Sequence, residues 1–304
     1  MLSINTSSAS MAAVNAINTS MDSLSTSMER LATGNRINSS SDDAAGKQIA
    51  NRLTAQSSGM GVALSNIDDA TAMLQTADST FDEMTDVLGR MSDLATQAAN
   101  GTYNDDDLQA MQDEYDELGQ QMSDMLQNTT YGGTNLFGTS GTSNTGKDGL
   151  FQGSVTFQVG AESSDTMTVD ISSQLDKLTT DLSTISTSFK ADQADTTGKA
   201  GVSGGTELTA SGSANKMIDS ISTAMDDVSK IQSKLGASIN RLNDTANNLT
   251  SMQDNTEVAI GNIMDTDYAT EASNMTKQQV LSQTGITMLK QANSMSSMVS
   301  SLLQ

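Results

Sequence analysis

The fold is decided by residues 63–95, which read ALSNIDDATAMLQTADSTFDEMTDVLGRMSDLA. The apolar members of this stretch alternate steps of four and three: Ala63, Ile67, Ala70, Leu74, Ala77, Phe81, Met84, Leu88, Met91 and Ala95. A mean spacing of about 3.5 residues produces a narrow apolar stripe along a helix, as in coiled coils. The chain has no proline to interrupt such a helix. The pattern therefore predicts a long helix over 44–99 that buries one face.

The same spacing recurs toward both chain ends. Near the start it falls on Val14, Ile17, Met21, Leu24, Met28 and Leu31, and near the end on Leu281, Met288, Met295, Val299 and Leu302. Residues 1–52 carry four acidic and four basic side chains, whereas residues 53–140 carry fifteen acidic and one basic. Nearly neutral ends with apolar stripes favour burial. We expect these eleven residues to form an apolar seam that long helices bury against partners.

The middle of the chain changes period. Val155, Phe157 and Val159 alternate with polar residues, and so do Met167, Val169 and Ile171. Alternation predicts strands, so residues 151–171 are expected to form a β-hairpin. Before it, Asp105, Asp106 and Asp107 suit the start of a helix as cap and dipole partners. The predicted fold is mainly α, with long coiled-coil-like helices from both chain ends and a small β-hairpin region between them.

Composition excludes several classes of function. The 304 residues include no Cys, His or Trp, and the formal net charge is −22. Without His and Cys, a Ser-His-Asp triad, a cysteine nucleophile and Cys/His zinc sites cannot be built. Excess negative charge opposes binding to nucleic acid and to anionic membranes. We expect no catalytic, cofactor or metal site, no nucleic-acid or membrane partner, and no enzyme activity. The acidic pair Glu114 and Glu117 lies one helical turn apart in a chain with only 3% aromatic residues to hold a sugar.

Several motifs resemble those of bacterial flagellin. They are MERLATGNRIN at 28–38, SDDAAG at 41–46, LATQAANGT at 94–102, SINRL at 238–242 and DTDYATE at 265–271. The resemblance covers about residues 1–140 and 205–304. It implies a structural subunit that polymerises into the flagellar filament for swimming or swarming motility.

The resemblance also implies a domain organisation. Residues 1–42 and 266–304 would form paired inner-tube helices, residues 43–140 and 205–265 a helical rod domain, and residues 141–204 the hairpin with a short variable insertion. So short an insertion is typical of lateral flagellins.

The implied partners are other copies of the chain in a helical homopolymer, an export chaperone, and the hook–filament junction and filament cap proteins. The first 20 residues have neither the basic start nor the apolar core of a cleaved signal peptide. The resemblance implies type III export to an extracellular filament. It also maps Arg90, Leu94 and Glu114 onto positions that Toll-like receptor 5 recognises, although Gly89 and Asp93 depart from the usual neighbourhood.

Two alternatives stay open at this point. A hook–filament junction protein of the same superfamily would share the terminal heptads but end a filament rather than extend it. A soluble coiled-coil binding module of a type III system would instead satisfy its terminal heptads within a closed assembly.

Overall fold

The computed structural model describes residues 8–138, 149–189, 205–210 and 212–302. The chain divides into two compact units, one comprising Met1–Ser58 and Met252–Gln304 (the terminal unit) and the other Gly59–Ser251 (the central unit). The predicted boundaries at 42/43 and 265/266 both lie within the terminal unit, and the three-part organisation stays a prediction.

The elements are mainly helices. In chain order they are α1 (Ser8–Thr33), α2 (Ala44–Ala98), α3 (Asp105–Asn128), β1 (Thr130–Tyr131), β2 (Thr134–Asn135), a short 3-10 helix (Leu150–Gln152), β3 (Val155–Gln158), β4 (Thr166–Val169), α4 (Ser172–Ile185), α5 (Ser213–Met264) and α6 (Tyr268–Leu302). Helices α2 and α5 each contribute residues to both units. The predicted mainly α fold is confirmed.

The stripe of α2 builds the core of the central unit. All ten apolar residues of 63–95 quoted above are buried, with at most 2% of each exposed. They join one apolar cluster with residues of α3, α4, α5 and the mid-chain hairpin. Within it the Phe81 ring meets Phe137 edge-on at 4.9 Å, and Phe137 stacks on Phe151 at 6.0 Å between ring centroids. The long predicted helix therefore exists because it has a continuous apolar partner surface.

The start of α3 differs from the sequence expectation in its capping residue. The N-cap is Asn104, whose Oδ1 accepts a hydrogen bond from the Asp107 amide at 2.8 Å, while Asp107 Oδ2 accepts one from the Asn104 amide at 3.4 Å. This is a capping box with Asp in place of Glu. The three aspartates fill the first turn, where negative charge favours the helix dipole.

The predicted hairpin is confirmed and packs into the core. Strands β3 and β4 are antiparallel, with Val155 opposite Val169 and Phe157 opposite Met167. Met167 and Val169 are buried. Helix α4, which the sequence analysis did not predict, follows the hairpin and buries four side chains in the same core: Leu175, Leu178, Leu182 and Ile185.

Backbone contacts close the chain at residues 138 and 149. The Phe151 amide donates to the Leu136 carbonyl at 2.9 Å, and Gln152 Nε2 donates to the Gly138 carbonyl at 2.8 Å. A Cβ at Gly149 would lie 2.0 Å from the carbonyl carbon of Phe137, so only glycine fits this crossing. We call this contact the neck.

A buried polar cluster attaches residues 205–210 to α3. Gln112 Oε1 accepts from the Leu208 amide at 2.7 Å, and its Nε2 donates to Asp116 at 3.0 Å and to Glu207 at 2.8 Å. Asp116 also accepts from the Gly205 amide at 2.9 Å. Gln112 and Asp116 are buried, so these bonds satisfy polar groups that would otherwise destabilise the core.

Asp227 joins α4 to α5. Its carboxylate is only 3% exposed and forms ion pairs with Lys177 of α4 and with Lys230, whose Nζ lies 2.6 Å from Oδ1. Burial opposes ionisation of Asp227, but hydrogen bonds from Lys177 and Lys230 outweigh it and lower its pKa to about 2, from an ordinary value of 3.8. A carboxyl whose pKa falls on folding stabilises the folded state above its unfolded pKa.

We predict that Asp227→Asn lowers the free energy of unfolding at pH 7 by roughly 1 kcal/mol, a modest loss because both lysines can be solvated. In the unchanged chain the contribution of Asp227 is complete above about pH 4 and is lost as the pH falls toward 2. Urea unfolding at pH 7, 4 and 3 should therefore show a shallower acid loss in the variant. Asp226→Asn, at the exposed neighbouring position, is the control; an equal effect there would contradict the assignment.

Candidate assembly surface

Helices α1 and α6 of the terminal unit pair in antiparallel directions. Ser10 Oγ lies 3.4 Å from Asn293 Oδ1. Ser282 Oγ donates to Met21 Sδ at 3.5 Å. Later in α1, Arg30 Nη1 lies 3.9 Å from Glu271 of α6, whose side chain is buried. Positions thus rise along α1 as they fall along α6, which sets the register of the pair.

The residues that face one another follow heptad spacing. The buried or half-buried positions of α1 include Ala13, Ile17, Ser20, Leu24, Ser27 and Leu31. Those of α6, as far as its side chains are described, are Glu271, Met275, Gln278, Ser282, Gly285, Leu289 and Ala292. Several of these residues are small. A Cβ at Gly285 would lie 2.6 Å from Cγ1 of Ile17, so the helices approach there as closely as glycine allows. Small residues at alternate positions let the two backbones approach.

A short backbone bridge fixes the entry and exit of this pair. After α1, Gly34 adopts φ +76° and ends the helix, as a left-handed glycine does at many helix ends. The Arg36 amide donates to the Met264 carbonyl at 2.6 Å, and the Thr266 amide donates to the Gly34 carbonyl at 2.9 Å. These bonds flank the isolated bridge between Asn35 and Asp265.

Capping carboxylates support the helices that leave the bridge. Asp267 accepts hydrogen bonds from the Thr270 hydroxyl at 2.7 Å and from the Ala269 amide at 3.0 Å at the start of α6. The Thr270 hydroxyl and amide, together with Ala269, lower the pKa of Asp267. At the start of α2, Asp43 Oδ1 accepts from the Gly46 amide at 2.9 Å. In the turn before it, the Ser39 amide donates to Asp42 and lowers the pKa of that carboxyl.

The predicted seam residues of α1 fall into two groups, one facing α6 and one exposed to solvent. Ile17, Leu24 and Leu31 are half-buried on the line that faces α6. The alternate members Val14, Met21 and Met28 remain 40%, 51% and 50% exposed. The sequence pattern did not distinguish the two sets because serines at 20 and 27 take heptad positions on the inner line. The heptad recurrence of those small residues was the available signal.

The two described members of the predicted seam of α6 lie off the contact line. Leu281 and Met288 are 46% and 63% exposed, because Ser282 and Gly285 occupy the inner positions beside them. The side chains of Met295, Val299 and Leu302 lie outside the described part of the structure. Val14, Met21, Met28, Leu281 and Met288 are thus exposed in the single chain, and burial of the seam between subunits stays a prediction.

The exposed apolar side chains of the pair form what we call the terminal apolar set. Its members are Met11, Val14, Met21 and Met28 of α1 and Val280, Leu281, Ile286 and Met288 of α6. Val14, Met21 and Met28 recur every seven residues, as do Leu281 and Met288, so each group shares one face of its helix. Grouped exposed apolar side chains favour association with another surface. Within the described residues, no group of three or more acidic side chains is arranged to hold a metal ion. No described helix is long and apolar enough to cross a bilayer.

In the central unit the structure brings together two of the three predicted receptor residues. Arg90 Nε and Nη2 both donate to Glu114 Oε1, at 2.8 and 2.6 Å, and join α2 to α3. Both side chains are about half exposed. Leu94 is only 2% exposed and belongs to the core. Arg90 and Glu114 can therefore contact a partner directly. Leu94 is buried and can act only by packing in the core of the central unit.

The fold defines the chain as a mainly helical structural protein whose two ends pair. Residues 4–142 match the model of the bacterial flagellin N-terminal helical region, and residues 218–303 match that of the C-terminal helical region. The chain belongs to the bacterial flagellins.

Individual relatives agree with this family. Flagellin A of Vibrio anguillarum is 31% identical over 377 aligned positions that cover 100% of both chains. Polar flagellin F of Vibrio parahaemolyticus is 30% identical, covering 99% of each chain. Among solved structures, a Vibrio parahaemolyticus chain assigned as a flagellar hook-associated protein aligns with a TM-score of 0.51 at 17% identity, covering 74% of this chain and all of its own. That likeness concerns the fold alone.

We predict that Gly285→Ala weakens the α1–α6 pair, because its methyl group would collide with Ile17. The same change at Gly236 of α5, where a Cβ meets nothing within 4 Å, should instead stabilise the chain by about 0.5–1 kcal/mol through helix propensity. Amide hydrogen exchange over 268–292 measures the first effect. Ile17→Ala combined with Gly285→Ala should restore part of the protection. Equal protection in the Gly285→Ala variant and the unchanged chain would contradict the close contact.

Proposed function

We propose that this chain is the structural subunit of a flagellar filament and that the terminal apolar set is buried between neighbouring subunits during polymerisation. The observation that supports it is the position of this set. The α1–α6 pair uses its small inner residues for its own contact and leaves large apolar side chains for another copy of the chain.

Elementary energetics favour such an assembly. Burying a fully exposed Val, Leu or Met side chain contributes about 1.5–3 kcal/mol. The members of the set are 40–63% exposed in the single chain, so about half of this is gained on assembly. Immobilising a flexible side chain at an interface opposes this by roughly 0.5–1.5 kcal/mol. The difference is small for each residue but is repeated over the eight members of the set and over every subunit. A contact between different surfaces that does not close into a ring then grows into a helical filament.

The remaining partners follow from membership of the family. The proposal includes an export chaperone for the unassembled chain, the hook–filament junction and cap proteins at the filament ends, and type III export without a cleaved signal peptide. Motility is a property of the polymer. The lateral type, which the short mid-chain insertion suggested, stays a prediction. Full-length relatedness to flagellins favours the filament over the junction protein and over the coiled-coil module.

We predict that Met21→Asp prevents polymerisation, because each assembled subunit would bury an uncompensated carboxylate. Purified subunits are added to filament seeds, and growth is followed by turbidity and electron microscopy. Asn18→Asp introduces the same charge at an exposed polar position of α1 and should leave growth within about twofold, as expected for a surface substitution. Undiminished growth of the Met21→Asp variant would contradict burial of the set; failure of the unchanged chain to grow would contradict the filament proposal.

A second proposal concerns recognition by Toll-like receptor 5. It rests on the half-exposed ion pair of Arg90 with Glu114 and on the resemblance noted at these positions. Arg90 presents a planar cation whose remaining donors can bind a carboxylate of a partner.

We predict that Arg90→Asp lowers receptor activation at least tenfold, because it removes the cation and places a carboxylate beside Glu114. Activation is measured with purified subunit on reporter cells. Lys216→Asp makes the same charge change at another exposed position of the central unit and should alter activation less than twofold. Equal activation by the Arg90→Asp variant and the unchanged chain would refute the assignment.

A further inference from the structure

Methionine supplies half of the terminal apolar set. Met11, Met21, Met28 and Met288 are each at least half exposed in the single chain. Oxidation of methionine to its sulfoxide follows access of the oxidant to the thioether. We propose that these four residues are an oxidation-sensitive site of the unassembled subunit, and that their conversion to sulfoxides by a hydroperoxide blocks filament growth. This inference rests on the proposed function in assembly.

Exposure separates these methionines from those of the core. Met60, Met84, Met91 and Met122 of the central unit are at most 1% exposed. The chain also contains no cysteine, so no thiol competes for the oxidant. The accessible methionines of the terminal pair therefore lie on the surface proposed to assemble, while the core of the central unit is protected from the same oxidant.

The chemistry is an oxygen transfer. The Sδ lone pair attacks one oxygen of hydrogen peroxide, the O–O bond breaks, and the sulfur gains an S–O bond. The sulfur is oxidised by two electrons, and the peroxide is reduced to water. The product has a strong hydrogen-bond acceptor where the thioether had an apolar surface.

The effect on assembly follows from burial. In the free subunit a sulfoxide at these positions remains in water and costs little. Between subunits it would be removed from water without a matched donor, which destabilises the contact. The unmodified thioether has no such requirement, because its sulfur is only a weak hydrogen-bond acceptor; at Met21 this weak bond comes from the Ser282 hydroxyl at 3.5 Å.

The test begins with full-length subunit treated with graded hydrogen peroxide, quenched, and added to seeds. The critical concentration for growth should rise about tenfold when one or more of the four positions is oxidised, as expected when one polar group loses its partner. Peptide mass spectrometry maps the oxygen added to each methionine. A chain with all four replaced by Leu, which has similar volume and no oxidisable sulfur, should shift less than twofold.

Met252→Leu is the control variant, because Met252 is exposed but lies on α5 outside the set. It should lose growth at the same peroxide dose as the unchanged chain. If the four-Leu chain loses growth at that dose, the proposal is overturned. If untreated unchanged subunit does not grow, the proposed function has failed, and the inference fails with it.

A measurement without variants covers the case in which the four-Leu chain assembles poorly from the start. Partly oxidised unchanged subunit is polymerised, and polymer and unincorporated subunit are separated. Sulfoxide at Met11, Met21, Met28 and Met288 should be enriched about tenfold in the unincorporated fraction relative to sulfoxide at Met252. An equal distribution at all five positions would overturn the proposal.

Discussion

The close approach of α6 to α1 at Gly285 is the contact on which the terminal unit depends. Because glycine stands opposite Ile17, the helices meet along a line of small and half-buried residues. That line occupies only part of each helix circumference. The larger apolar residues next to it stay 40–63% exposed, although Met21 Sδ still accepts a hydrogen bond from the Ser282 hydroxyl of α6. One geometric constraint thus produces both a stable register and an exposed apolar surface.

The two units use the same heptad spacing for different purposes. In the central unit the stripe of α2 meets apolar residues from several elements and is fully buried. In the terminal unit the described partner of α1 is the single helix α6. The heptad-spaced apolar residues of α1 are therefore only partly covered. Coverage by neighbours, rather than the pattern itself, decides whether a coiled-coil stripe becomes core or surface.

Periodicity predicted the fold well where burial is complete. The stripe from Ala63 to Ala95 correctly predicted α2, and the alternation around Phe157 correctly predicted the β3–β4 hairpin. In both, the apolar side chains face the core, so burial sets the spacing. Helix α4 was missed because its Ser- and Thr-rich sequence hides four leucine and isoleucine positions at helical spacing.

The candidate surfaces were predictable only in part. Arg90 and Glu114 are 24 residues apart, and nothing in their local sequence pairs them; the structure does so by packing α3 on α2. Leu94 is one turn beyond Arg90 yet faces the core. The inner line of α1 includes Ser20 and Ser27, which an apolar pattern ignores. Their heptad recurrence is the signal of close helix contact, and a search for apolar spacing alone does not register it.

The neck has a consequence for how the chain can change in length. At the neck the Phe151 amide bonds to the Leu136 carbonyl, and the Gln152 side chain bonds to the Gly138 carbonyl. Closing a loop between fixed ends costs entropy that grows only with the logarithm of its length, about 0.6 kcal/mol for each doubling. Lengthening the chain at this point would therefore leave the packing of Phe81, Phe137 and Phe151 intact. The number of residues between the two sides of the neck can therefore change with almost no effect on the stability of this core.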